Sequence, residues 1–289
     1  MIFSGPTSNI FVSQRLRLHY ADWGNPDAPP LILQHGGHDH CRSWDWAARE
    51  LAKDWHVIAP DLRGHGDSAW SPDAEYSMFA FVYDFAQLVH TLGHEQVTIV
   101  GHSLGGNIAS RFTGLYPDKV RSLVNVEGLS LAPQLIAKRA GKDYADLLRD
   151  WITDRRESAG RMTRRYTTLE AAYTRLKEAN SFLSDEQARH LTVNGASRNE
   201  DGTWSWKFDN YLNNWPVSDF PDAELERLWQ AITCPVLLLC GSNSFAPNPE
   251  RDGSARHFRN ARVVEYENAG HWLHHDQLDR FLADVKAFI

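Results

Sequence analysis

The chain has 289 residues, of which 42% are hydrophobic, and its formal net charge is −7 at neutral pH. This length and composition support one large core with room for an inserted subdomain. The acidic balance argues against a nucleic-acid-binding surface and against binding to anionic membranes.

Cysteine usage and the N-terminal residues predict where the protein resides. The sequence has three cysteines, Cys41, Cys234 and Cys240, and none of them belongs to a CxxC pair. An odd number without paired spacing argues against a disulfide framework and is typical of free thiols. The first twenty residues lack a signal-peptide pattern, and no run approaches the ~18 apolar residues of a membrane span. We therefore expect a soluble cytoplasmic protein.

Along the chain, strand-like and helix-like segments alternate. The chain opens with IFVSQRLRLHYADWG, whose alternating pattern and following Asn-Pro-Asp predict antiparallel strands and a turn. Short apolar runs then predict buried strands at residues 31–34, 56–60, 97–101, 123–127, 236–241 and 261–266. Helical spacing between and after them predicts helices at residues 79–92, 105–115 and 278–289. The fold class expected is therefore α/β, with a mostly parallel sheet covered on both faces and antiparallel N-terminal strands.

The alternation stops after Glu127. From residue 130 to residue 228 helical patterns dominate, and Ser184 with Gln187 has the spacing of a capping box that opens a helix. An aromatic-rich stretch, NEDGTWSWKFDNYLNNWP, follows. We predict a helical insertion over residues 130–228, between core segments at 1–129 and 229–289.

The sequence GHSLG at residues 101–105 carries the strongest chemical signal. It lies between the predicted strand VTIV and a predicted helix, the context in which G-x-S-x-G forms a nucleophile elbow. Such a turn is tight, so Gly101 and Gly105 are needed beside Ser103. The turn lifts the serine hydroxyl above the sheet and directs the first N–H groups of the helix toward the same space.

Four segments together resemble the α/β-hydrolase superfamily with a helical cap. They are LQHGG at 33–37, APDLRGHGDS at 59–68, GHSLGG at 101–106 and NAGHWLHHDQLDRF at 268–281. The segment from 166 to 191, followed by the W-x-F-D stretch, is similar to the serine-hydrolase-like and esterase subgroup. The resemblance implies an α/β-hydrolase fold and a cofactor-independent enzyme. It also implies Ser103 as nucleophile, His271 as general base and the backbone N–H groups of Gly37 and Leu104 as the oxyanion hole.

The acid of the triad departs from the commonest family pattern. Ser244 stands where an aspartate is expected after the strand VLLLCG, and its hydroxyl cannot offset an imidazolium charge. Some relatives place the acid at the end of the preceding strand, where this chain has Glu127. We predict Glu127 as the acid, with Asp252 as the rival. A protonated or outward-facing Glu127 without a catalytic role is the remaining alternative.

The stretch HGGHDH at residues 35–40 raises the question of a metal site, because zinc prefers His and Asp ligands. Its spacing differs from the H-x-H-x-D-H of one zinc-hydrolase family, so we predict no metal, although a composite site with His271, His274 and His275 stays open. His35 is expected to support the loop by hydrogen bonding. His38, Asp39 and His40 are expected to line or brace the pocket entrance. The alternative for Asp39 is a hydrogen bond to its own loop backbone.

Aromatic residues provide candidates for substrate contact. His38, Trp44, Trp204 and Trp206 are the predicted substrate-binding residues. The cap aromatics that are expected to form an apolar ceiling also include Phe208, Tyr211 and Trp215. For each of them a role in the cap core is the alternative. Asp61 and Asp67 are expected to brace their loop, and His274 and His275 are expected to be structural.

These observations predict a carboxylesterase that acts on a small apolar or aromatic ester through an acyl-serine intermediate. The same triad would serve a lactonase, a C–C bond hydrolase or an amidase. Remoter alternatives are a ligand-binding pseudo-hydrolase and a metal hydrolase. The expected partner is a small molecule, and the oligomeric state is not predicted.

Overall fold

The computed structural model describes residues 5–129, 133–159, 161–214 and 222–289. Its strands are β1 (Thr7–Ser13), β2 (Leu16–Asp22), β3 (Pro30–Gln34), β4 (His56–Pro60), β5 (Val97–His102), β6 (Val120–Val126), β7 (Ala196–Arg198), β8 (Trp204–Trp206), β9 (Val236–Gly241) and β10 (Ala261–Tyr266). Its helices are α1 (Asp45–Leu51), α2 (Met78–Leu92), α3 (Leu104–Leu115), α4 (Pro133–Arg139), α5 (Tyr144–Ala159), α6 (Leu169–Ala179), α7 (Asp185–Gly195), α8 (Asp222–Ala231), α9 (Leu273–Asp276) and α10 (Leu278–Phe288). Short 3-10 helices lie at Cys41–Trp44, Pro117–Lys119, Asn210–Asn213 and Ser254–His257.

Eight strands form one sheet in the order β1-β2-β4-β3-β5-β6-β9-β10. β2 is antiparallel to both β1 and β4, and the remaining neighbours are parallel. Each of the six apolar runs predicted from the sequence forms one of these strands. The predicted α/β class with an antiparallel entry is therefore confirmed.

The sheet is covered on both faces because side chains alternate along each strand. Ile99 belongs to a core cluster with residues of α2 and α3, including Phe85 and Ile108. The next residue, Val100, belongs to the opposite cluster with residues of α1 and α10, including Phe281. Two apolar layers thus hold the carboxyl ends of β5 and β6 in fixed positions. No helix within the described ranges is both long and apolar enough to cross a bilayer.

The insertion between β6 and β9 contains α4 to α7 and the hairpin of β7 and β8. We call its described part, residues 133–159 and 161–214, the cap. The predicted capping box is present: Ser184 accepts from the N–H of Gln187, and the Gln187 side chain accepts from the N–H of Ser184. The hairpin strands were not predicted, because three residues each are too few to establish an alternating pattern.

Helix α8 belongs to the core rather than to the cap. It packs so closely on α3 that a Cβ at Gly114 would lie 2.4 Å from the carbonyl oxygen of Leu228. Trp229 of α8 is buried in the same cluster as α3. Residue 228, at which the predicted insertion ends, lies within this helix.

The cap is joined to the core loop after β4. Phe208 forms an antiparallel bridge with His65. Asp209 accepts a 2.5 Å hydrogen bond from the Tyr76 hydroxyl, and its N–H donates to the carbonyl of Gly64. These contacts place the residues that follow β8 directly above the loops at the carboxyl edge of the sheet.

Candidate active site

Ser103 lies at the sharp turn between β5 and α3. Its backbone has φ 51° and ψ −118°, a strained conformation for a residue with a side chain. Its N–H donates to the carbonyl of Val126 at 2.8 Å, which holds the turn against the end of β6. Leu104 begins α3, and the first N–H groups of a helix have no acceptor within the helix. The elbow predicted from the sequence is thus present in the backbone.

The two flanking glycines are required by close approach of the backbone. A Cβ at Gly101 would lie 2.6 Å from the carbonyl oxygen of Gly105, and a Cβ at Gly105 would lie 2.5 Å from that of Gln34. Contacts this short do not occur, so any side chain at either position would force the turn open. The turn geometry therefore depends on small residues two positions on either side of Ser103.

Glu127 and His271 meet beside this elbow. Glu127 follows β6, the strand next to β5, and its side chain has no exposed surface. Its Oε2 lies 2.6 Å from Nδ1 of His271. A hydrogen bond from Nδ1 to the carboxylate leaves Nε2 of the imidazole as the acceptor. The fold thus brings the predicted acid and base together at the carboxyl edge of the sheet.

Two further donors converge on the Glu127 carboxylate. The N–H of Gly241 donates to Oε1 at 2.6 Å, and the hydroxyl of Ser244 donates to Oε2. Ser244 occupies the expected position of the aspartate, and here it supports the acid instead. The rival, Asp252, is exposed and accepts from the N–H of Ser254. The hydrogen bond from Ser244 to Glu127 was not predicted from the sequence. The position of Ser244 after β9 was the one signal that could have indicated it.

His102 fixes the backbone that carries His271. Its Nε2 lies 2.9 Å from the carbonyl oxygen of His271, which only accepts, so Nε2 carries the proton. The two rings are 4.8 Å apart. Burial, followed by the nearby His271, holds the pKa of His102 well below its ordinary value, so this ring is neutral. The ring of Phe245 also packs on His271, at 4.3 Å. Neither contact was predicted from the sequence.

The loop after β3 lies directly against Ser103. A Cβ at Gly36 would be 3.0 Å from Cβ of Ser103, and Gly37 is the next residue. His35 supports the loop as predicted: Nδ1 donates to the carbonyl of Gly36 at 2.6 Å, and Nε2 accepts from the N–H of Leu62. This arrangement places the two predicted oxyanion donors, Gly37 and Leu104, on neighbouring segments.

Asp61 braces this loop from below, as predicted. Its buried carboxylate accepts from the N–H groups of Cys41 at 2.7 Å and Asp67 at 3.0 Å, and it bonds Nδ1 of His19 at 2.7 Å. Burial by itself would raise the pKa of Asp61. The hydrogen bond from His19 and the proximity of His35 outweigh burial and hold the pKa well below its ordinary value.

We expect Asp61→Asn to lower the free energy of unfolding at pH 7 by about 2–4 kcal/mol, because an amide meets buried donors with donors of its own. The folded-state pKa of Asp61 is depressed, so its stabilisation is present above the unfolded pKa of about 4 and lost as the pH falls. The difference in the free energy of unfolding between wild type and variant should stay constant above about pH 5 and become smaller below about pH 4. Urea unfolding at several pH values measures it. Asp67→Asn, whose exposed side chain pairs with Lys207, is the control, and an equal loss in both variants would contradict this role.

The histidines at residues 35–40 make different contacts and do not form one site. Nε2 of His40 hydrogen-bonds the carbonyl of Leu191 in α7, which braces the cap. Asp39 accepts from the N–H of His40, so its carboxylate bonds its own loop backbone, the alternative interpretation. Within the described ranges, the grouping with metal-ligand spacing is instead His19, Cys41 and Asp61. Because the Asp61 carboxylate already bonds three protein donors, this cluster is explained as a loop brace.

A cavity of about 640 Å³ lies between the loop after β3 and the cap. Gly37, His38, Trp206 and Phe208 line it, and Trp272, the neighbour of His271, closes one side. The predicted contacts of His38 and Trp206 thus face this space.

The other predicted substrate contacts lie elsewhere. Trp44 is 1% exposed and packs in the core, with its ring 4.6 Å from that of His274. The 3-10 helix at Cys41–Trp44 turns this ring beneath the loop, so the expected substrate contact is wrong for Trp44. Trp204 is not among the cavity-lining residues, although it forms a bridge with Tyr166, which is. Trp215 lies outside the described residues.

His274 and His275 are buried on α9, as expected for structural residues. Nε2 of His275 bonds the hydroxyl of Ser43 at 2.9 Å, and its backbone carbonyl accepts from Gln187 of the cap. The ring of His274 lies between those of Trp44 and His102. These packed rings fix α9 and hence the segment that carries His271.

The chain is similar to known proteins in both sequence and fold. The chain is 32% identical over 195 residues to the serine hydrolase-like protein of Danio rerio, a match that covers 66% of this chain and 58% of that protein. It is 27% identical over 283 residues to Esterase Rv0045c of Mycobacterium tuberculosis, covering 95% of this chain and 87% of that protein. The thioesterase domain from the curacin biosynthetic pathway superposes with a TM-score of 0.84 at 22% identity, covering 97% of this chain and 99% of the domain.

A family model of the alpha/beta hydrolase fold matches residues 29–278, which include the elbow, the loop after β3 and the segment of His271. The match thus spans both core segments and the insertion between them. The chain belongs to the α/β hydrolase fold family.

Proposed function

We propose that the protein is a cofactor-independent serine carboxylesterase in which Ser103, His271 and Glu127 form the catalytic triad. The observation that carries the proposal is the 2.6 Å contact between Nδ1 of His271 and Glu127 beside the strained elbow of Ser103. A serine hydroxyl is a weak nucleophile and needs a base whose free nitrogen faces it and whose other nitrogen is held by an acid.

The reaction follows from these roles. Ser103 Oγ attacks the ester carbonyl while Nε2 of His271 takes its proton. The N–H groups of Leu104 and Gly37 stabilise the oxyanion that forms. His271 then protonates the departing alcohol and leaves an acyl ester on Ser103. Water, deprotonated by His271, attacks this ester, and collapse of the second tetrahedral intermediate releases the carboxylic acid and restores Ser103.

The nucleophile type restricts the substrate class. Reactions that pass through an alkyl ester, such as dehalogenation and epoxide opening, need a carboxylate nucleophile, whereas the elbow here carries Ser103. The similarity to a protein named esterase along 95% of this chain supports a carboxylic ester. The apolar rings of Trp206 and Phe208 in the cavity favour an apolar or aromatic small molecule as the partner.

The test is hydrolysis of p-nitrophenyl acetate, butyrate and octanoate, combined with labelling by a fluorophosphonate. We expect the protein to hydrolyse these esters at a rate that a chelator leaves unchanged. One fluorophosphonate label per chain should abolish the hydrolysis. Mass spectrometry of the labelled peptides should place the modification on Ser103. A label on another residue, or ester turnover that survives full labelling of Ser103, would contradict the proposed mechanism. Loss of turnover with chelator would favour a metal hydrolase.

A further inference from the structure

The cavity beside Gly37 is cationic although the whole chain is acidic. Four of its lining residues carry a positive charge: Arg161, Arg164, Arg175 and Lys207. Asp39 is the one carboxylate among the residues that line it. Although the chain has a net charge of −7, positive charge is concentrated at a cavity that is lined by Gly37, a proposed oxyanion donor. Charge of one sign in a cleft raises the local concentration of ligands of the opposite sign.

Two of these cations already have protein partners. Arg161 pairs with Glu157 at 3.1 Å, and Lys207 pairs with Asp67 at 2.8 Å. Arg164 and Arg175, within the part of the chain that the structure describes, make no hydrogen bond or ion pair. The guanidinium of Arg164 instead lies 5.2 Å from the ring centre of Tyr166, which orients it at the cavity wall. Both arginines thus retain their hydrogen-bond donors for a ligand.

A row of rings connects the loop after β3 with Arg164. It begins at His38, whose ring lies 4.9 Å from that of Phe208. Phe208 stacks with Trp206 at 6.3 Å, and Trp206 lies 6.2 Å from Tyr166, to whose hydroxyl its Nε1 donates. The row therefore starts next to Gly37 and ends under the guanidinium of Arg164. A ligand along it would meet apolar surface first and positive charge at the far end.

We propose that the natural substrate is an ester with an apolar or aromatic body and a carboxylate at the end remote from the scissile bond. We assign the binding of this carboxylate to Arg164, which lies at the end of the row, and to Arg175, which lines the same cavity. A guanidinium donates two parallel N–H bonds to a carboxylate. The proposal rests on the proposed esterase function, and it adds the charge of the substrate and the residues that select it.

The experiment compares esters of equal length with and without the remote carboxylate. One pair carries it in the acyl part: p-nitrophenyl octanoate and mono-p-nitrophenyl suberate. The other pair carries it in the alcohol part: octyl acetate and 8-acetoxyoctanoate. Two exposed ion pairs are expected to give a kcat/KM about tenfold higher for the anionic member of at least one pair. The pair that shows the preference identifies the side of the ester that carries the charge. Added salt should reduce the preference.

Variants connect the preference to the two arginines. In the double variant Arg164→Gln, Arg175→Gln the ratio of anionic to neutral kcat/KM should fall close to one. The double variant with lysine at both positions should keep part of the ratio, because it keeps the charge. Arg149→Gln is the control, since Arg149 is exposed on α5, pairs with Asp146 and does not line the cavity.

The outcomes separate the two proposals. If the neutral esters are hydrolysed and Ser103 is labelled, the esterase function stands whatever the charge preference is. Equal kcat/KM for both members of both pairs would then overturn the carboxylate proposal. A preference that survives the double glutamine variant would overturn the assignment to Arg164 and Arg175. If no ester is hydrolysed and no label is incorporated, the esterase function itself fails.

Discussion

Ser103→Ala is expected to lower kcat/KM for p-nitrophenyl butyrate by about 10,000-fold or more, because no other group at the elbow can form the acyl intermediate. Ser103 follows β5 directly, and the hydrogen bond from its N–H to Val126 holds it in the elbow conformation. Alanine fits the same turn because it removes an oxygen atom and adds nothing. The loss should appear in kcat and in fluorophosphonate labelling together.

The matched control for this variant is Ser181→Ala, which removes an exposed hydroxyl between α6 and α7. It should retain wild-type turnover and labelling. Circular dichroism and urea unfolding establish that both variants are folded. A folded Ser103→Ala protein within about tenfold of the wild-type rate would refute the assignment of the nucleophile.

Glu127→Gln is expected to reduce kcat by about 1,000- to 10,000-fold. The carboxylate accepts the proton on Nδ1 of His271, whereas an amide can direct its NH₂ group there and favour the wrong tautomer. It also no longer offsets the positive charge that His271 acquires during attack. Since binding contacts are unaffected, the change should appear mainly in kcat rather than in KM.

Two variants separate this role from a structural one. Asp252→Asn alters the rival carboxylate, which is exposed and caps the turn at Ser254, and should leave kcat unchanged. Ser244→Ala removes one hydrogen bond to Glu127 and should lower kcat far less than Glu127→Gln, because the charge remains. If Asp252→Asn lost activity while a folded Glu127→Gln retained it, the acid would be misassigned.

The sequence by itself determined the sheet and the elbow, because both follow from local patterns. Buried parallel strands need continuous apolar runs, and each of the six runs formed a strand. The sharp turn at Ser103 needs small residues two positions away on either side, so the two glycines there allowed the elbow to be predicted. Glu127 was predicted from the resemblance, because some relatives place the acid at the end of this strand, and in the structure three donors bond its buried carboxylate.

Only the tertiary structure decided which distant residues meet. The bonds from Ser244 to Glu127 and from His102 to the carbonyl of His271 join residues more than 100 positions apart, and no local pattern encodes them. Whether a tryptophan faces the core or the cavity depends on what packs above it. The sequence therefore predicted the same role for Trp44 and Trp206, whereas in the structure Trp44 lies in the core and Trp206 lines the cavity. That Arg164 and Arg175 line the same cavity likewise depends on how the cap folds over the sheet. Nothing in the local sequence around either arginine distinguishes it from other surface cations.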